Sequence, residues 1–378
     1  MLGRPFSSNA DEEYLYSKLF TTLLCKAQQY SNKFGIVFAL HYLCRQITIS
    51  METVLSGIRP TGNLHLGNYY GAVTSFVKLQ EEYKCLFFIA DWHSLTTHPK
   101  PEDIRRSART ILAEYLACGI DPAKSTIYIQ SDVKEVLELY LYLNMNAYLG
   151  ELERVTSFKD KARKQPDNVN AGLLTYPTLM AADILIHRAN KVPVGKDQEQ
   201  NMEMARLYAG RFNNKYGVDY FPIPQSFSLA GRGVKIPGLD GSGKMGKSEG
   251  NCIYLCDEPS VIKKKVMKAV TDAGPQAPNS EKPEVIQNLF TILSVVSSKE
   301  TYDYFDEKWN DMSIRYGDLK KQLAEDIVNT MTPIRERIQE YSANPDLLDR
   351  IAAEGAEKAR ESASKTIREV REILGFRV

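Results

Sequence analysis

From residue 51 onward, two kinds of apolar pattern alternate along the chain. Short runs of strand length, TVLSG (53–57), CLFFIAD (85–91), STIYIQS (125–131) and KVPVG (191–195), read as strands, and the continuous apolar CLFFIAD as one covered on both faces. Between them lie stretches with apolar residues at helical spacing. In NYYGAVTSFVKLQEEY, Ala72, Phe76 and Leu79 share a face with Val73 and Val77. PEDIRRSARTILAEYLACGI opens on a proline and two acids and stops at Gly119; Ile104, Ala108, Ile111, Leu112 and Tyr115 form its apolar face. Helices are also predicted over about 133–149 and 172–187, and from near Asp197. Strands separated by helices predict an α/β domain with a doubly wound, Rossmann-like parallel sheet.

Beyond a Gly- and Lys-rich loop, GRGVKIPGLDGSGKMGKSEGN (231–251), the pattern changes. EPSVIKKKVMKAV and the stretch 302–341 read as charged helices with few strand signals, and 347–376 reads as a further amphipathic helix or pair. The expected organisation is an α/β domain over 51–243 and a smaller all-helical domain over 244–345. A final helix, 346–378, is expected to pack back on the first domain. Residues 1–50 differ from the rest of the chain. Asp11, Glu12 and Glu13 argue against a mitochondrial presequence, so the segment reads as an upstream extension of the kind a misassigned start leaves, with a targeting role as the lesser alternative.

Composition narrows the class. A chain of 378 residues with 43% hydrophobic content can build about two domains with a sizeable core. A net charge of +1 supplies no global field for coating DNA, so any RNA contact must come from local basic patches. The longest candidate span, FGIVFALHYLC (34–44), is too short for a bilayer. Six cysteines make no CxxC; Cys252 and Cys256 lack a second pair, so structural zinc is not expected and the thiols read as reduced and cytoplasmic.

Two stretches carry candidate chemistry. In SGIRPTGNLHLGNYYGA (56–72) a strand ends at Gly57, a turn comes next at Arg59, Pro60, Thr61 and Gly62, and a helix begins near Leu66. A helix N-terminus offers free N–H groups to phosphate, His65 and Asn68 can donate beside it, and Gly67 leaves room for a base or ribose. The stretch is no P-loop, because the lysine of that motif is absent, and taken alone it could be a mere glycine-rich connection. In KMGKS (244–248), two lysines on a glycine-rich loop can swing onto a polyphosphate; alone, this would be a solvated basic loop. Residues at the carboxyl ends of parallel strands, 56–62, 91–93 and 195–198, are where such a sheet binds ligands.

An HxGN turn after the first strand, paired with a KMxKS-type loop after the last, resembles the two signatures of class I aminoacyl-tRNA synthetases. GELERVTSFKDK (150–161), AGLLTYPTLMAADILIHRA (171–189) and VPVGKDQEQNMEMAR (192–206) resemble the bacterial-type tryptophanyl-tRNA synthetases, over about residue 52 to the C-terminus. The related tyrosine enzymes would carry a GGSDQW-like stretch where this chain has PVGKDQEQ.

The resemblance implies two-step transfer: L-tryptophan is activated by ATP with Mg2+, then passed to tRNA(Trp). It further implies a homodimer and a helical domain that reads the anticodon; Cys252 and Cys256 alone do not supply the cysteine cluster that some relatives carry for iron–sulfur near this loop, so no such cluster is expected. The indole N–H is a donor only, and the resemblance makes Asp183 its acceptor. Tyr176, Met180 and Asp183 stand at i, i+4 and i+7, on one helix face, and apolar neighbours predict that Asp183 is buried. By resemblance, Leu55, His93, Val192, Val194 and Gln198 complete the tryptophan pocket, with a core-edge role competing for His93. ATP falls to Arg59, Pro60, Thr61, His65, Gly67 and Asn68, its ribose to Gly195, Lys196 and Asp197, and its adenine to Ile236. The loop residues Lys244, Met245, Gly246, Lys247 and Ser248 meet the phosphates, which Lys161 also reaches; Lys161, Lys244 and Lys247 are the expected catalytic groups. The chain departs from the commoner family choices at Arg59 (Gln), Gly246 (Ser) and Lys196 (Glu). Competing activities are tyrosine activation, small-substrate nucleotidyl transfer and non-catalytic binding of tRNA or tryptophan.

Overall fold

The structure, a computed structural model, describes residues 51–195, 198–227, 233–247 and 249–378. The expected extension 1–50, and Lys196, Asp197 and Ser248, lie outside the described residues. Residues Glu52–Val378 form one compact unit.

Five parallel strands make one sheet in the order β3-β2-β1-β4-β5: β1 (Thr53–Ile58), β2 (Lys84–Ile89), β3 (Ser125–Ile129), β4 (Lys191–Pro193) and β5 (Gln225–Phe227). The chain winds outward from β1 in one direction to β3, then resumes on the other side with β4, so the switch point lies between β1 and β4. The four expected strands are present. The run QSF (225–227), exposed or half-buried and only three residues long, is too weak a signal to predict β5. In the β1–β2 register Gly57 stands opposite Phe88. A Cβ on Gly57 would lie 2.3 Å from Cζ of that ring, so only glycine fits there.

Alternate strand residues feed two cores. Val54, Cys85, Phe87, Ile89 and Ile127 pack on one face; Leu55, Leu86, Phe88 and Tyr128 pack on the other. The first connection is α1 (66–79), α-helical over Leu66–Asn68, widened to a π turn over Tyr69–Val73 and α-helical again over Thr74–Leu79. A one-turn helix, α2 (Asp91–Ser94), comes directly after β2. Then comes α3 (Pro101–Ala117), begun by Pro101 and two acids and closed before Gly119, whose φ is +102°.

The expected helix over 133–149 is two, α4 (Glu135–Asn144) and α5 (Leu149–Arg154), succeeded by α6 (Thr156–Lys164). The expected helix over 172–187 is α7 (Ala171–Leu174) and α8 (Tyr176–Ile186), divided where Pro177 starts a fresh turn. α9 (Glu199–Tyr216) ends at Gly217 in left-handed conformation.

The remainder is helical: α10 (Pro259–Met267), α11 (Glu284–Val296), α12 (Lys299–Asn310), α13 (Tyr316–Ser342) and α14 (Pro345–Leu374). Trp309, Phe290 and Leu323 of this part share the core that receives Phe87 and Ile127 from the sheet. α14 packs along β3, an edge of the sheet, and so covers it. The approach is close because Gly355 faces that strand: a Cβ there would sit 1.7 Å from the Ile127 carbonyl oxygen.

Candidate active site

The turn after β1 is tight: the Thr61 N–H donates to the Arg59 carbonyl at 2.8 Å, and Gly62 takes a φ of +97°. The chain leaving this turn is tied to a segment far away in sequence. Leu66 N–H donates to Ile253 O at 3.0 Å and Leu255 N–H to Leu64 O at 2.9 Å, flanking an antiparallel bridge between His65 and Tyr254. The side chains join in, since the Asn63 amide donates to the Cys256 sulfur. The HLGN turn and the chain just after KMGKS are therefore one backbone-bonded unit.

Lys247 crosses back over it, its Nζ donating to the Gly62 carbonyl at 2.7 Å; burial lowers its pKa. Lys244 is exposed. His65 is only 6% exposed, and burial, then the charges of Lys247 and Lys244, push its pKa down to about 4. It is neutral at pH 7 and carries one ring N–H rather than a charge. Asn68 Oδ1 accepts the His65 backbone N–H at 3.2 Å, which closes the helix start. The sequence assigned Gly67 to room for the nucleotide. In the structure a Cβ there would first meet the His65 ring, at 2.9 Å, so the glycine makes space for that imidazole.

Met245 and Ile236 are both buried, and Met245 N–H donates to Ile236 O at 3.0 Å. Their buried side chains anchor the loop. Asn251 organises the rest. Its Oδ1 accepts Gly246 N–H at 2.9 Å; its Nδ2 donates to Asp240 Oδ1 and Ser242 Oγ, both at 2.9 Å.

The pocket side is built around Asp183 on α8. It is 2% exposed, His93 Nε2 lies 2.8 Å from Oδ2, and Gln130 Nε2 donates to the two oxygens at 2.8 and 2.9 Å. Burial raises the pKa of this carboxyl, while the bonds from His93 and Gln130 pull it down. Gln130 is oriented in turn by Trp92, whose backbone N–H donates to its Oε1 at 3.1 Å. The His93 ring packs 4.4 Å from that of Tyr176, and Lys161 Nζ sits 3.3 Å from the Tyr176 ring centre. Burial, then the Arg59 charge, lower Lys161 to a pKa of about 8. Asp183, His93, Tyr176 and Lys161 are thus in contact in series, and the charge of Arg59 in the turn after β1 is felt at Lys161.

Met180 is half-buried on the same helix; Val192 is buried, Val194 and Gln198 half-buried and Gly195 exposed near the end of β4. Leu55 is a core residue, 1% exposed, behind this group, and Pro60 is buried in the turn. Sequence reasoning missed Gln130, Glu114 and Asn251. The strand-end rule could have flagged Gln130, which comes directly after β3; for Asn251 and Glu114 the signal lies only in tertiary bonds. Two surface grooves of about 640 and 540 Å3 are lined by none of these residues.

Residues 51–332 match the family model described as tRNA synthetases class I (W and Y). The chain is 73% identical over 327 residues to the tryptophan–tRNA ligase of Porphyromonas gingivalis, which covers 86% of this chain and 100% of that protein. It is 41% identical over 332 residues to the tryptophan–tRNA ligase of Clostridium perfringens, covering 86% and 98% respectively. The solved tryptophanyl-tRNA synthetase of Campylobacter jejuni, complexed with ADP and tryptophan, superposes with a TM-score of 0.77 at 35% identity, covering 86% of this chain and 100% of that one.

Proposed function

The chain belongs to the class I tRNA synthetases for tryptophan and tyrosine, and from that membership we propose that it activates L-tryptophan with ATP and transfers it to tRNA(Trp). The observation that carries the choice of tryptophan is Asp183. Its carboxylate is buried, its Oδ1 accepts among the described residues only from Gln130, and so it keeps a lone pair for a donor-only indole N–H. Met180 and Tyr176 on the same helix supply a thioether and a ring beside it.

In the first step the tryptophan carboxylate attacks the α-phosphorus of ATP and pyrophosphate leaves. In the second, the terminal ribose hydroxyl of the tRNA attacks the adenylate carbonyl and AMP leaves. No side chain forms a covalent intermediate. The protein's part is position and charge: Lys161 over the Tyr176 ring, Arg59 in the turn after β1, and Lys244 and Lys247 on the loop face the polyphosphate. Asn68 and the strand-end residues near Gly195 are assigned to the nucleotide, with Lys196, Asp197 and Ser248 assigned by the family resemblance. Mg2+ would be held by the phosphates of the nucleotide, since the lysines and backbone N–H groups here are no metal ligands, and would supply further charge neutralisation of the leaving pyrophosphate.

The division at residue 244, with the helical part reading the anticodon, rests on the same membership. A homodimer is supported by an exposed apolar stripe, Leu137, Leu141, Met145, Tyr148 and Leu149, running along α4 to the start of α5. The described residues contain no helix long and apolar enough to cross a membrane, and a translation enzyme of this kind works in the cytoplasm. The test is tryptophan-dependent ATP–pyrophosphate exchange by Lys247→Ala. The expected loss is about 10²–10³ in kcat with little change in KM for tryptophan; near-wild-type turnover would remove Lys247 from the mechanism.

A further inference from the structure

Beneath the turn that carries His65 lies a carboxyl group that neither step of the reaction uses directly. Glu114, on α3, is 0% exposed. Its Oε2 accepts the Leu64 backbone N–H at 2.8 Å, and its Oε1 has no hydrogen-bond partner among the described residues. A carboxylate in that setting would be a costly buried charge, and a neutral acid is what the surroundings favour. Burial pushes its pKa up to about 8, with the Leu64 bond and the Lys247 charge pulling the other way. The charged and titratable groups facing it are Lys247 on the KMGKS loop, Cys256 on the segment after it, and Tyr115 and Cys118 on its own helix.

We propose that Glu114 is a positioning residue for adenylate formation: it anchors the turn that carries His65, and its charge state sets how readily Lys247 leaves Gly62 for the polyphosphate. This rests on the ATP-dependent activation proposed above. The Leu64 bond fixes the residue before His65, and the same Leu64 carbonyl accepts from Leu255, so one carboxyl holds the joint between the two signatures. Lys247 is bonded to Gly62 O within the field of Glu114. While Glu114 is neutral that field is weak and the lysine is free to move to phosphate. Once Glu114 ionises, its charge holds Lys247 back. Glu114 therefore acts on nucleotide capture and leaves the tryptophan pocket alone.

The experiment is ATP–pyrophosphate exchange by wild type, Glu114→Gln and Glu114→Leu, with KM for ATP and for tryptophan measured from about pH 6.5 to about 9.5. Glutamine keeps an acceptor for Leu64 and cannot ionise. Lys161 titrates in the same range in all three proteins, so the readout is the ratio of KM for ATP, wild type over Glu114→Gln. That ratio is expected to climb about threefold or more as pH rises through 8, while the corresponding ratio for tryptophan stays flat. Glu114→Leu leaves the Leu64 N–H unbonded and is expected to raise KM for ATP about tenfold at neutral pH, with a cooperative melting transition showing that it folds. A pH-independent ratio for ATP, or a folded Glu114→Leu with unchanged KM for ATP, would overturn the assignment. Absence of tryptophan-dependent exchange in the wild type would instead overturn the activity, a separate outcome.

Discussion

At the scale of single residues the site is a set of buried polar groups whose charge states are fixed by their surroundings. Glu114 and His65 illustrate opposite signs. The folded pKa of Glu114, about 8, lies above its ordinary value of 4.5, so the stability it contributes is complete below about pH 4.5 and is lost as pH rises to 8. Glu114→Gln should therefore gain on wild type by up to about 1.4 kcal/mol per pH unit between those limits, read from denaturant unfolding at pH 5, 6 and 7; a pH-independent difference would count against the neutral acid. For His65, whose pKa falls from 6.5 to about 4, stability is lost as pH falls from 6.5 towards 4, because the unfolded chain takes the proton first. The proposed selectivity for tryptophan rests on Asp183. Asp183→Ala removes the acceptor and strands His93 and Gln130, so preference for tryptophan over phenylalanine in pyrophosphate exchange should drop by about 10-fold or more; unchanged selectivity would refute the assignment. Asp183 was legible in the sequence because an acid amid Ala181, Ala182, Ile184 and Leu185 must be buried and bonded. Its partner Gln130 was not, since nothing local to a glutamine at a strand end says which carboxylate it will reach.

At the scale of elements, β2 was legible because both faces of a central parallel strand must be apolar, and β1, β3 and β4 were legible as short apolar-rich runs set between helical stretches. β5 was not, being short and half-exposed at the sheet edge. The helix α11 (Glu284–Val296) gave an apolar face to the core without having been predicted, as its run EVIQNLFTILSVV is apolar enough to read either way. The KMGKS loop is an element whose shape depends on Asn251, a residue outside the motif. Asn251→Ala would leave the Gly246 N–H, Ser242 and Asp240 without their common partner. The expected result is a rise of about tenfold in KM for ATP with tryptophan binding intact, measured by equilibrium binding of tryptophan beside exchange kinetics. Equal losses for both substrates would place Asn251 in general stability instead.

At the scale of the whole molecule, one sheet divides two cores, and Arg59, His93 and Gln130 come just beyond the carboxyl ends of β1, β2 and β3. The pairing of two distant motifs was legible as a coincidence of signatures; that they share backbone hydrogen bonds through Leu64, Leu66, Ile253 and Leu255 could only come from the fold. The last helix closes the molecule against β3 through Gly355. Gly355→Ala forces a shift from the Ile127 carbonyl and should cost about 1–3 kcal/mol in denaturant unfolding while leaving exchange activity of the folded enzyme in place. An unshifted unfolding midpoint would contradict that contact. The central claim is tryptophan activation, and the measurement that bears on it most directly is ATP–pyrophosphate exchange by the purified full chain with tryptophan and with tyrosine, side by side. The account predicts exchange with tryptophan, with tyrosine slower by about 10² or more in kcat/KM. Exchange supported equally by tyrosine, or by neither amino acid, would contradict it.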